Sequence, residues 1–416
     1  MSGGIIIALV CLSVCALAAY SGWWRYALLP WTIRRNRLTV KRLNLCVSSD
    51  EDVRRVDSIL ASFAGGFNRM IACPSTVDCS KYCASLPALQ RPFAHEGAAM
   101  GYAIRRLRPY NAREFERDVV EPQPQFRYLH YVGLGFWSGM RKHSPAKLSR
   151  IAANLDPLHR YLCFDGFGFT QAFFHYRARP DALRKLDDFD GYARNAAYQG
   201  VGRAFWFLYM GRPDLLVEHV GRLGDYAPDA AAGVGLAAVF VNPDRLQVAR
   251  DLAMRLPEEW RAHFHLGMCF ALKARSINDL DQFERDLSNQ SRSVQDATYA
   301  SIRECDRVEL LVRSEGGPNG YRNWRARVAV WMTEHIGYPL TGVMTSEGTQ
   351  SLPPSLLQQC ATPTTEGSAG LATETAPLLI KGRQRAVQRF GNSEAALGDA
   401  DQETASRPSD GKGRDA

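Results

Sequence analysis

The chain has 416 residues, 46% of them hydrophobic and 23% charged, with a net charge of +8. That length suits one large or two to three ordinary domains, and the apolar fraction excludes a wholly disordered or collagen-like chain. The positive balance raises nucleic acid or an anionic membrane as a partner, and the placement of the charges decides between them.

Gly3 to Trp24 is a run of 22 residues without a charge. At about 1.5 Å rise per residue such a run crosses a hydrocarbon core of about 30 Å. Trp23, Trp24, Tyr26 and Trp31 follow, as an interfacial aromatic belt does. Arg25, Arg34, Arg35, Arg37, Lys41 and Arg42 come next, and the first acid is Asp50. With these six charges set aside the rest of the chain nets only +2. The pattern predicts a transmembrane anchor over residues 1–24 and a basic juxtamembrane linker over 25–57. By the positive-inside rule the N-terminus lies outside, the body is cytoplasmic, and the basic block meets the anionic cytoplasmic membrane face. A cleaved secretory signal is the competing reading, but its basic leading region is missing. No nucleic-acid partner is expected.

The body repeats. Gly66, Gly101, Gly133, Gly166, Gly200, Gly233 and Gly267 recur every 32 to 35 residues. Pro109, Pro145, Pro180, Pro213 and Pro243 recur out of phase with them. Proline presets φ at a helix start, where its missing N–H costs little. The segments after Pro145 and Pro213 place Leu148, Ile151, Ala152 and Leu155, and Leu216, Val220 and Leu223, at helical spacing, so each is an amphipathic outer helix. The glycine segments are apolar all round, as a buried helix is. Glycine inside a helix costs about 1 kcal/mol against alanine, so its recurrence implies a compensating close approach of helices. The expected fold is all-α: a solenoid of roughly 33-residue helical hairpins over 58–341, similar in period to the tetratricopeptide repeat. Tyr321 to Tyr338 reads as a capping helix, and residues 342–416 read as a disordered tail.

Chemistry is sparse. The Gly-x-Gly pairs lack the third glycine, the strand and the acid of a dinucleotide site, and no cofactor is expected. Cys73, Cys79 and Cys83 are spaced unlike the usual zinc or iron–sulfur sets and form only a weak metal candidate. The stronger constellation is the polar residue before the first glycine: Glu96, Asp165 and Gln199, with Arg203 one turn beyond Gln199 and His95 and His265 nearby in register. Polar groups on apolar helices are costly unless paired. They form either a groove for a ligand or a buried network between stacked hairpins. No catalytic motif is present, and no catalytic residue is named.

The sequence resembles the family called domain of unknown function 1702, bacterial proteins associated with enediyne gene clusters. The resemblance rests on His95-Glu-Gly-Ala-Ala-Met-Gly-Tyr102, Tyr131-Val-Gly-Leu-Gly-Phe136, Leu155-Asp-Pro-Leu158 with Tyr161-Leu-Cys-Phe-Asp-Gly-Phe-Gly-Phe169, Gln199-Gly-Val-Gly-Arg-Ala-Phe-Trp-Phe207 and Gly233-Val-Gly-Leu-Ala237. It implies an accessory role in specialised polyketide metabolism and carries no catalytic residues. The expected function is a membrane-anchored helical-repeat accessory protein, a scaffold or binding module for a protein partner or lipophilic small molecule. The alternative is an enzyme acting on a lipophilic metabolite in a pocket lined by Glu96, Asp165, Gln199 and Arg203.

Overall fold

In a computed structural model, residues 32–335 are described, apart from 48, 74 and 106–110, together with the isolated residue 13. The proposed anchor over 1–24 (residue 13 aside) and the proposed tail over 342–416 lie outside the described residues. Among the described residues every regular element is helical, and no helix is long and apolar enough to cross a membrane.

Seven inner helices pack in series: α1 (Asp50–Ala72), α3 (Arg91–Arg105), α4 (Arg127–Met140), α6 (Leu162–Gln171), α7 (Tyr192–Tyr209), α9 (Ala227–Val241) and α11 (Glu258–Asn278). Shorter helices flank them: α2 (Thr76–Ala84), α5 (Pro145–Ala152), α8 (Pro213–Gly221), α10 (Leu246–Arg255) and α12 (Leu280–Ser288). The described region ends in α13 (Arg292–Glu315) and α14 (Gly320–His335), with α14 against both α11 and α13.

The glycine pairs set the spacing of the inner helices. Residues i and i+2 of a helix point to nearly opposite sides, at about 100° per residue. The first glycine of each pair faces the preceding inner helix and the second faces the following one. On α7, a methyl group at Gly200 would overlap the Asp165 carbonyl of α6, and one at Gly202 would overlap the Ala230 carbonyl of α9. Polar contacts keep the same register. His130 meets His95 at a separation of 35 residues, Gln199 meets Asp165 at 34, and Asn195 meets Asp229 at 34. One repeat of sequence is thus one step across to the neighbouring helix.

The outer elements follow the prolines unevenly. Pro145 opens α5 behind a Ser144 cap that accepts the Lys147 N–H, and Pro213 opens α8. Leu148, Ile151, Leu216 and Val220 are buried as their spacing predicts. Pro180 instead opens a 3₁₀ helix over Pro180–Asp188. Its buried residues, Leu183 and Leu186, and the buried Phe189 after it fall three apart, the period of a 3₁₀ turn. Pro243 sits in a turn three residues before α10, where Asp244 is held by Arg55.

The N-terminal boundary also differs from expectation. Residues 50–57, read as linker, form the first turns of α1, capped by Ser49 with three acids in the first turn. Residues 32–47 make a strap against the body. Asn68 exchanges two hydrogen bonds with the Ile33 backbone (2.7 and 2.8 Å), the Val40 N–H donates to Asp57 (2.7 Å), and the Cys46 N–H donates to the Leu208 carbonyl (3.1 Å).

The series curves back on itself. Arg55 of α1 is bidentate on Asp244 at 2.7 Å, and Arg245 reaches back to Glu51 and Asp52 at 2.9 and 2.8 Å. Phe93 of α3 packs edge-on to Phe240 of α9 at 5.4 Å. This curvature brings side chains of non-neighbouring helices together at the centre.

Candidate functional site

Arg203 of α7 lies at that centre, fully buried. Its Nη1 donates to Asp165 of α6, and its Nη2 donates to Oε1 of Glu96 on α3 at 3.2 Å. Glu96 and Arg203 are 107 residues apart, so this contact skips α4 and α6 and depends on the curvature. Gln199, one helical turn before Arg203, donates to the second Asp165 oxygen at 2.7 Å. Arg325 of α14 donates to the Gln199 side-chain oxygen. Arg325 also lies beside Tyr192 and Tyr321, its guanidinium 5.9 Å from the Tyr321 ring centre, and near Asp229, which accepts from Asn195 at 2.8 Å.

Three buried carboxylates therefore face two guanidiniums. Burial pushes the Glu96 carboxyl up to about 7 against the opposing pull of Arg203, and pushes Asp229 up to about 6 against Arg325. The excess negative charge is relieved by a proton, which burial favours on Glu96 and on Asp229 alike.

Of the polar residues read from the sequence, Glu96, Asp165, Gln199 and Arg203 are brought together. His95 is not in that group. Its ring stacks on Phe126 at 3.9 Å and its Nδ1 lies 3.3 Å from Nε2 of His130, on another face of α3. His265 is buried edge-on to Phe264, and the charge that bears on it is Arg261. Cys79 and Cys83 face each other on α2, with the Cys79 thiol donating to the Gly66 carbonyl. Cys73 lies beyond α1, where its carbonyl accepts from Arg105. Among the described residues no group of three or more His, Cys, Asp or Glu side chains is placed to hold a metal.

Sequence reasoning missed Arg325, Asp229, Tyr192 and Tyr321. It also missed what adjoins the charges. A recess of about 110 Å³ has Glu96 and Arg203 in its lining and is otherwise apolar. Its aromatic wall is continuous: Phe63 to Phe136 at 5.7 Å, Phe136 to Phe169 at 4.9 Å, Phe169 stacked on Phe173 at 5.2 Å, and Phe173 edge-on to Phe174 at 5.0 Å. Phe207 adds to it at 5.9 Å from Phe169. The Arg203 guanidinium stands 5.4 Å over the Phe169 ring, so the wall runs from the buried charge to the surface. Ile33 and Leu38 of the strap close one side.

The repeat spacing contained part of this wall, in the aromatic residues flanking the glycine pairs. The rest depends on a π turn. At Ala172–Tyr176 helix α6 widens by one residue per turn, which buries Phe173 in the recess and leaves Phe174 at its edge.

The fold and site define an all-α protein whose inner helices hold a buried charge network against an aromatic recess. The chain belongs to DUF1702, a family described as proteins of unknown function, whose model matches residues 22–332. That match takes in the strap at one end and most of α14 at the other. No curated protein and no solved structure matches the chain.

Proposed function

We propose that this chain is a membrane-anchored helical-repeat protein that binds a lipophilic small molecule in the aromatic recess, with one uncharged polar group of the ligand directed to Glu96 and Arg203. The observation that carries the reading is the unbroken phenyl wall from Phe174 to Arg203. An apolar cleft with a few convergent polar groups is the usual form of a small-molecule site. Arg203 is already engaged by Asp165 and Glu96, so an anionic head finds no free cation there and the site suits a hydroxyl or carbonyl. At about 110 Å³ the recess takes one segment of a chain and leaves the remainder outside.

The repeat-length register of the polar contacts and the two-sided glycine pairs support a solenoid of helical hairpins akin in period to the tetratricopeptide repeat. The apolar run and basic block support an anchor over 1–24 with the N-terminus outside and the body on the cytoplasmic side. The family resemblance implies accessory service in enediyne-type polyketide metabolism, and a polyketide chain belongs to the lipophilic class described. A second reading, an enzyme acting on that ligand, is favoured by one observation. Glu96 is held at about 7, the range in which a carboxyl serves as general acid or base.

The test is calorimetric titration of the full chain in detergent with a long-chain alcohol and with the fatty acid of equal length. The alcohol is expected to bind, the acid to bind at least tenfold more weakly, and Leu60→Trp, which fills the recess, to abolish binding with helicity unchanged. Binding of neither molecule by the wild type, or undiminished binding by Leu60→Trp, overturns the reading.

A further inference from the structure

We propose that the rim of the recess docks on an anionic bilayer, so that the recess exchanges its ligand with the membrane and not with water. The proposal rests on reading the recess as a lipophilic site.

Two lining residues stand in solvent at the mouth, Met140 at 46% exposure and Phe174 at 44%. Large apolar side chains exposed together at the mouth of an apolar recess mark an interaction surface. Phe174 lies in the π turn, directly after the buried Phe173.

Charge identifies the partner. Three segments form the rim: the strap over 32–47, residues 140–144 at the C-terminal end of α4, and residues 172–180. Together they contain nine lysines and arginines and no acid. That exceeds the net charge of the whole chain, so the remainder of the protein is close to neutral. Arg34, Arg37 and Lys41 on the strap, Arg141 and Lys142 beside Met140, and Arg177 near Phe174 are all exposed. Exposed apolar side chains ringed by basic ones fit an anionic lipid surface, to which each Lys or Arg near the headgroups adds attraction.

Chain continuity places the mouth on the same side. The strap follows the uncharged run Gly3–Trp24 within a few residues. It is fixed to both walls of the recess, at Asn68 of α1 and, through Arg177 and Leu208, at the α6–α7 side. Ile33 and Leu38, which line the recess, alternate along the strap with exposed arginines.

The full chain would be reconstituted into vesicles of phosphatidylcholine alone, or with about a third phosphatidylglycerol, each holding a trace of lipid with a diazirine at the acyl terminus. After irradiation the labelled peptides are identified by mass spectrometry. The expected result is labelling of the peptides carrying Met140 and Phe174, several-fold stronger in the anionic vesicles, and reduced several-fold by Arg141→Glu with Lys142→Glu at unchanged helicity. Labelling confined to residues 1–31, or rim labelling equal in the two vesicle types, overturns the docking. Binding of the long-chain alcohol in detergent without rim labelling overturns the docking and leaves the recess as a ligand site. Rim labelling without alcohol binding overturns the exchange of ligand and points to failure of the recess reading instead.

Discussion

Glu96 is the side chain whose protonation settles the charge at the centre of the molecule. Its carboxyl is pushed up to about 7 from an ordinary value of 4.5, mainly by burial. The folded state therefore holds this proton more tightly than the unfolded chain does. The stabilisation from that proton is complete below about pH 4.5 and is lost as pH rises through about 7. Glu96→Gln keeps an oxygen to accept from Arg203 and removes the ionisation. The stability of Glu96→Gln relative to wild type is expected to grow between pH 5 and pH 8, by roughly 2–3 kcal/mol. Urea unfolding of both proteins at the two pH values measures it, and a constant difference would place the titration elsewhere. The polar register before the glycines made Glu96, Asp165 and Gln199 legible as partners. Arg325 was not legible, because α14 stands outside the repeat and nothing in its spacing relates it to Gln199.

At the scale of the helix, the inner glycines and the outer ones behave oppositely. Alanine is favoured over glycine in a helix by about 1 kcal/mol, so a glycine with room for a methyl group is a stabilising target. Gly221, at the end of α8, has only Trp260 near it, at ordinary contact distance of 3.6 Å from an added methyl. Gly200 has the Asp165 carbonyl in the way, and the obstacle is backbone of a packed helix. Gly221→Ala is expected to leave stability unchanged or raise it by up to about 1 kcal/mol, and Gly200→Ala to lower it by at least 2 kcal/mol through helix separation. Thermal unfolding of the two variants checks this, and a stable Gly200→Ala protein would contradict the close packing of α6 on α7. The glycine ladder was legible because close approach demands one residue type at one period. The helix type after Pro180 was not, since Leu183, Leu186 and Phe189 suit a 3₁₀ turn as well as one face of an α-helix. The π turn in α6 was hidden for a related reason: an inserted residue breaks the 3.6-residue period by which faces are read.

Across the whole molecule, tight curvature converts residues scattered along the chain into one interior, and that interior holds five neutral histidines. Burial lowers His95, His263 and His265 to about 3 and His159 to about 4, with His130 well below its ordinary value. His95 and His130 share a contact at 3.3 Å, so protonation of either opposes protonation of the other. In the unfolded chain each titrates near 6.5. Below that pH the unfolded state takes up protons that the folded state refuses, so stability falls with acidification, by about 1.4 kcal/mol per pH unit for each group. Glu96 and Asp229 act in the opposite direction over the same range, since both gain protons in the folded state as pH falls. The five histidines, together with His143, His175 and His219, which are also lowered, outweigh the raised Glu96, Asp229, Glu116 and Asp286, and the net change between pH 7 and pH 5 is a loss on the order of several kcal/mol, a large part of the stability of many domains. The expected outcome is a protein most stable near neutral pH that unfolds cooperatively on mild acidification, well above the range in which surface carboxylates titrate. Urea unfolding monitored by circular dichroism at pH 7.5, 6.0 and 5.0 measures it. Stability that is equal or greater at pH 5.0 would mean that the other four imidazoles gain partners such as His159 already has in Asp156 (3.3 Å) and Glu309 (3.6 Å), and that the interior opens to admit the charge.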